Sequence, residues 1–233
     1  MSGARCLLLH GFTGGPYEVM PLAEHLSRIG YECRVPELPG HDKELLGLGQ
    51  VTWHDWLDAA AGEAYRLLRA GGGFDLVGFS MGGLISAYLA NRFPVRRLVL
   101  LNAAAIYASP RLFVKDALRR MRAGDRRQWN KMTRTPLPAA VQFLKLARHV
   151  RREELPRVAV PTLVVQSQRD HIIHPRSANY IYRQLKGDKR LVWFPQSGHM
   201  ICHESEAGEM FHAVEQFLCD EAYIYKMDGE RLT

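Results

Sequence analysis

The chain has 233 residues, 47% of them hydrophobic, and a formal net charge of +7, enough apolar material for a sizeable core in one α/β-sized domain. It has no run of about eighteen apolar residues for a membrane helix, and its four cysteines show neither paired nor metal-ligand spacing. The few residues ahead of the first predicted strand are too short for a signal peptide, so a soluble, cytoplasmic protein with reduced thiols is expected.

The first predicted strand, 5–9, stops abruptly at His10-Gly11-Phe12-Thr13-Gly14-Gly15-Pro16. Three glycines let that segment fold tightly, and His10 reads as a hydrogen-bonded structural residue. A helix at 22–29, a strand at 31–35 and a helix at 53–69 follow, with Pro39-Gly40-His41-Asp42 between the last two. The next strand, 74–79, runs into Gly78-Phe79-Ser80-Met81-Gly82 and then into a helical pattern at 83–92. Strand, tight turn and helix around a G-x-S-x-G sequence read as a nucleophile elbow. The serine is forced into a strained backbone with its hydroxyl exposed, and the positions two before and two after it must lack side chains. The helix behind Ser80 also aims its amides and positive dipole end at the place where an oxyanion would form. In such an arrangement one oxyanion donor is the amide after the serine and the second comes from the loop after an earlier strand, so Met81 N–H and Phe12 N–H are the expected pair.

A strand at 97–101 is followed by about fifty residues, 106–157, before the next strand, far more than a simple crossover needs. Broken by Gly124, Pro136 and Pro138, this stretch predicts three short amphipathic helices forming a cap over Ser80, with Leu112, Phe113, Met121, Phe143 and Leu144 as expected acyl-pocket residues. It holds 14 Lys or Arg against 4 Asp or Glu, whereas the rest of the chain is net negative. That basic lid could meet anionic lipid surfaces; nucleic acid is not an expected partner, because no binding module accompanies the charge.

After the strand at 162–166, Asp170 falls in the loop at its carboxyl end, ahead of a helix at 177–185. After the strand at 191–194 comes Gln196-Ser197-Gly198-His199, again at a carboxyl end, where open α/β sheets gather functional groups, and a helix at 204–219 follows. Serine, acid, histidine is the chain order this fold demands, which makes Asp170 the expected orienting acid and His199 the expected base. Asp42 is the alternative acid but precedes the serine, while His171 and His174 read as surface or rim residues. Six strands alternating with helices predict a mainly parallel sheet covered on both faces, with 1–233 as one domain and the cap inserted after the fourth strand.

The stretches 10–15, 78–83, 164–182 and 193–199 resemble the α/β-hydrolase superfamily, and within it the small bacterial carboxylesterases that grade into monoacylglycerol lipases. The Ser177-Ala178-Asn179-Tyr180-Ile181-Tyr182 helix and the Gln-Ser-Gly-His tetrad carry the narrower likeness. The resemblance implies a serine esterase with a small helical cap, hydrolysing short- to medium-chain acyl esters without a cofactor; in the sequence itself no His/Cys/carboxylate cluster calls for a metal. A monoacylglycerol lipase or thioesterase would use the same three residues, and a non-catalytic receptor of this fold would be expected to have lost them. The antiparallel hairpin that opens many larger members is not expected here.

Overall fold

The computed structural model describes residues 3–106 and 136–220. Six strands, β1 (Arg5–Leu9), β2 (Glu32–Arg34), β3 (Phe74–Phe79), β4 (Val95–Leu101), β5 (Thr162–Ser167) and β6 (Lys189–Phe194), form one sheet in the order β2-β1-β3-β4-β5-β6. Every neighbouring pair is parallel. Each crossover therefore needs a connecting segment, and the loops at the strands' carboxyl ends collect along one rim. The four central strands are buried along nearly their whole length, which is why they read as continuous apolar runs.

The helices are α1 (Met20–Arg28), α2 (Trp53–Arg69), α3 (Met81–Ala90), α4 (Leu137–His149), α5 (Arg176–Gln184) and α6 (Ala207–Cys219). One face of the sheet packs Leu8, Val77, Val99 and Val165 against Leu22 and Leu26 of α1 and Met210, Val214 and Phe217 of α6. The other packs Leu7, Leu76, Leu98 and Val164 against α2, α3, α4 and α5. Helix α2 opens with a reciprocal cap: Asp55 N–H donates to Thr52 Oγ1 at 3.4 Å and Thr52 N–H to Asp55 Oδ2 at 2.6 Å.

The elements differ from the sequence expectation mainly at their ends. Strand β2 keeps only three residues because it is the sheet edge and pairs on one side alone. Strands β4 and β6 start two residues earlier than expected, in stretches whose basic residues mask a strand. Arg96 pairs with buried Asp75 at 2.8 Å, and Arg97 donates to the carbonyls of Leu218 and Asp220. Helix α3 begins at Met81, directly behind the turn, rather than at residue 83. At the other end of the chain, residues 201–203 form a separate 3-10 turn before α6.

Of the expected insertion at 106–157, residues 107–135 lie outside the described residues, and with them Leu112, Phe113 and Met121. The last of its three predicted helices corresponds to α4. The chain returns to the sheet through Glu154, 1% exposed, whose carboxylate accepts two hydrogen bonds from Arg92 at 2.8 Å and one from Asn91 at 2.7 Å. No helix among the described residues is long and apolar enough to cross a membrane, and the four cysteines are free.

Candidate active site

Ser80 sits between β3 and α3 with φ 54° and ψ −113°, a backbone that L-residues rarely adopt. The turn is fixed from both sides: Ser80 N–H donates to Leu101 O on β4, and Ser80 O accepts from Gly83 and Ala104. A Cβ at Gly78 would lie 2.4 Å from Gly82 O, and one at Gly82 would lie 2.2 Å from Leu9 O. Neither position can carry a side chain without moving backbone, which accounts for the two glycines of the motif.

Residues 10–15 fold over the same point. A Cβ added to Gly11 would meet Ser80 Cβ at 3.2 Å and the Phe79 ring at 3.3 Å, so the loop that carries Phe12 lies against the serine. Below this loop is Glu18, 7% exposed, whose Oε2 accepts the Gly11 N–H at 2.7 Å. Its carboxyl group occupies the space a Gly14 Cβ would need, 2.1 Å away. His10 is fully buried: Leu38 N–H donates to its Nε2 at 3.0 Å, which leaves Nδ1 to donate to Gly11 O at 2.9 Å. Burial first, and then neighbouring His41, push the His10 pKa down to about 3; burial takes His41 to about 4. Both are neutral at physiological pH and hold the loop in place.

His199 Nδ1 lies 2.7 Å from Asp170 Oδ2, and its ring lies against that of Phe79, the residue before Ser80, with centroids 4.9 Å apart. Asp170, 6% exposed, has its other oxygen tied down by Ile172 N–H and Ile173 N–H, both at 2.8 Å. Asn102, with φ 44°, stands at the end of β4 and donates to His199 O at 2.8 Å and Ser167 Oγ at 3.0 Å. Serine, histidine and acid are thus carried by the ends of β3, β6 and β5, joined through Asn102 and Phe79.

Asp42 has a different occupation. It accepts from the backbone of Glu44, Leu46 and Gly47 and shapes its own loop. His171 and His174 are exposed, and His174 Nδ1 accepts from Arg176 N–H. Phe143 is 8% exposed and stacks on Phe12 at 4.7 Å and 5°, bringing α4 onto the glycine-rich loop. Leu144, about 100° further around the helix, is 48% exposed and is not part of that stack. Among the described residues no group of three metal-ligating side chains gathers at this site.

Three residues that shape the site escape a reading of the sequence: Glu18, Asn102 and His41. Asn102 follows a strand directly, a position where functional side chains collect, and that was an available signal. Glu18 and His41 become visible only once the loops that enclose them are assembled.

The model of the alpha/beta hydrolase family matches residues 6–213. A carboxylesterase of Bacillus subtilis (strain 168) is 29% identical over 91% of this chain and 91% of its own length. A thermostable monoacylglycerol lipase of Bacillus sp. (strain H-257) is 31% identical over 83% and 82%. Among solved structures, one described under LipS and LipT, two metagenome-derived lipolytic enzymes, superposes with a TM-score of 0.79 at 26% identity, covering 93% of each chain.

Proposed function

The chain belongs to the alpha/beta hydrolase family, and from that premise we propose how it works. The protein is a carboxylic ester hydrolase of the carboxylesterase and lipase kind, and its substrates are small-molecule esters. The reaction runs through an acyl-enzyme on Ser80. His199 takes the hydroxyl proton as Ser80 Oγ attacks the ester carbonyl, and Asp170 holds the imidazole with Nδ1 protonated, leaving Nε2 free to act. The amides of Phe12 and Met81 receive the developing oxyanion, each donor worth about 3–4 kcal/mol in comparable sites. His199 then protonates the leaving alcohol. Water, deprotonated by the same imidazole, attacks the acyl-enzyme, and the imidazolium returns that proton to Ser80 Oγ as the acid leaves. The observation that carries this reading is the 2.7 Å bond between His199 and Asp170 beside a serine held at φ 54°.

Residues 106–157 serve as the cap of this reading, with Phe143 in the pocket roof. Leu137, Val141 and Leu144 form an exposed apolar stripe along α4, at 78%, 42% and 48% exposure. That stripe favours, as a second reading, lipid esters such as monoacylglycerols presented at an interface, with the basic residues of the insertion meeting anionic headgroups.

A fluorophosphonate probe tests the assignment. It is expected to label Ser80 alone, and Ser80→Ala is expected to stay folded while losing ester hydrolysis by about 10⁴-fold or more. An adduct on Ser86 or Ser197 would overturn it. A series of p-nitrophenyl esters set beside monoacylglycerols and acyl thioesters then separates the esterase, lipase and thioesterase readings by kcat/KM.

A further inference from the structure

Where α1 crosses α6, three ligating side chains from the two helices meet on the outer surface. His25 Nε2 lies 2.7 Å from Glu215 Oε2, and His212 Nδ1 lies 3.5 Å from the same oxygen. The three ligand atoms all fall within 4.8 Å of one another. His212 and Glu215 share a face of α6 because they are three residues apart, and His25 reaches them from beside Leu22 and Leu26, which anchor α1 on the sheet. The Phe211 ring packs 5.5 Å from that of His25 and backs the cluster.

We propose that His25, His212 and Glu215 bind a divalent transition-metal cation of the Zn²⁺ class, which clips α1 to α6. Two imidazole nitrogens and one carboxylate oxygen are a borderline ligand set. They suit Zn²⁺, Ni²⁺ or Co²⁺, whereas Ca²⁺ and Mg²⁺ select sites built from oxygen alone. Bonds of about 2.0–2.1 Å in a tetrahedron put neighbouring ligand atoms about 3.3 Å apart. The two carboxylate-to-imidazole separations, 2.7 and 3.5 Å, bracket that spacing, and all three ligand atoms lie within 4.8 Å of one another, so side-chain rotations can bring them to it. The side chains of His25 and Glu215 are 20% and 28% exposed and that of His212 is 74% exposed, so water can supply the remaining coordination positions and the cation can enter from solvent. Helix α1 follows the loop that carries Phe12, and α6 follows the loop that carries His199. A cation here ties together the two helices behind those loops. Its effect falls on stability, because none of its ligands faces Ser80.

The test uses the full-length chain, free of any affinity tag and stripped with EDTA. Titration with ZnCl₂ by calorimetry is expected to give one saturable site per chain. The Tm should rise with Zn²⁺ concentration as mass action requires, while Mg²⁺ and Ca²⁺ at equal concentrations should leave it unchanged. His212→Ala and Glu215→Gln should each weaken Zn²⁺ binding by at least about tenfold. His212→Ala, which alters an exposed side chain, should keep the metal-free Tm and the metal-free esterase activity. Absence of saturable Zn²⁺ binding to the unaltered chain overturns the site. So does binding that survives in both variants, which would place the cation at other ligands such as His199. Equal binding of Mg²⁺ or Ca²⁺ overturns the imidazole-based assignment.

Discussion

Asp170 uses its two oxygens for two different partners, and that division makes a sharp test of the proposed acid. Oδ1 accepts from Ile172 N–H and Ile173 N–H, and Oδ2 faces His199 Nδ1. In Asp170→Asn the amide oxygen stays with the two backbone donors, which turns the NH₂ toward His199. Nδ1 must then become an acceptor, the proton moves to Nε2, and the imidazole can no longer take the proton of Ser80. We expect kcat on p-nitrophenyl butyrate to fall by about 10⁴-fold with the fold intact. Asp42→Asn, which alters only the bonds to Glu44, Leu46 and Gly47, should keep kcat within a few fold. The reverse result would move the acid to Asp42. The candidates Ser80, Asp170 and His199 could be picked out in the sequence because each falls in the turn or loop at the carboxyl end of a strand, in the order the fold demands. Glu18 could not be, and Asn102 offered only its place after a strand, since what they hold, Gly11 N–H and His199 O, belongs to other segments.

At the scale of the element, α4 is where the insertion reaches the site. Phe143 stacks on Phe12, next to Gly11 and its close approach to Ser80. Replacing the ring by Ala should raise KM for hexanoyl and octanoyl esters relative to the acetyl ester, each lost methylene contact being worth up to about 0.8 kcal/mol. A chain-length profile identical to wild type would remove α4 from the pocket roof. The charge of the insertion makes a separate prediction. Changing Arg119, Arg120, Arg126 and Arg127, all outside the described residues, to Gln should leave turnover of a soluble neutral ester unchanged while weakening association with anionic vesicles. Wild-type association should also fall as salt rises, because the Debye length shortens from about 10 Å at 0.1 M to about 3 Å at 1 M. Vesicle binding indifferent to salt and to these substitutions would reduce the positive charge to a solvated surface. The pattern of apolar residues predicted a last helix in the insertion without fixing its ends, and Pro138, expected as a break, lies in the first turn of α4, where proline is tolerated; which face of the helix meets Phe12 depends on the crossing with α2 and α3.

At the scale of the whole molecule, the two buried histidines make the fold less stable as pH falls. His10 and His41 ionise near 6.5 in the unfolded chain but only at about 3 and about 4 when folded, because burial disfavours their charged forms. Well above pH 6.5 both states hold these rings neutral, and the two histidines add no pH dependence. As pH falls from 6.5 toward 4 the unfolded chain takes up protons that the native state refuses, so stability drops by up to about 1.4 kcal/mol per pH unit for each ring. Urea unfolding should therefore find the protein about 2–3 kcal/mol less stable at pH 5.5 than at pH 7.5, with His41→Asn flattening the slope. A slope unchanged in that variant would remove His41 from the account. The sequence by itself determined the parallel α/β sheet, the positions of its strands and the placing of Ser80, Asp170 and His199 at strand ends. Short apolar runs bounded by turn signals and alternating with helical patterns read as strands buried on both faces, and strand-end positions follow from connectivity. Only the tertiary structure decided that Glu18 supports the glycine-rich loop, that Asn102 holds the His199 backbone, that Phe143 rather than Leu144 meets Phe12, and that His25 faces His212 and Glu215. Each of these contacts joins residues of different elements, and their meeting depends on helix crossings and loop paths that no local periodicity encodes.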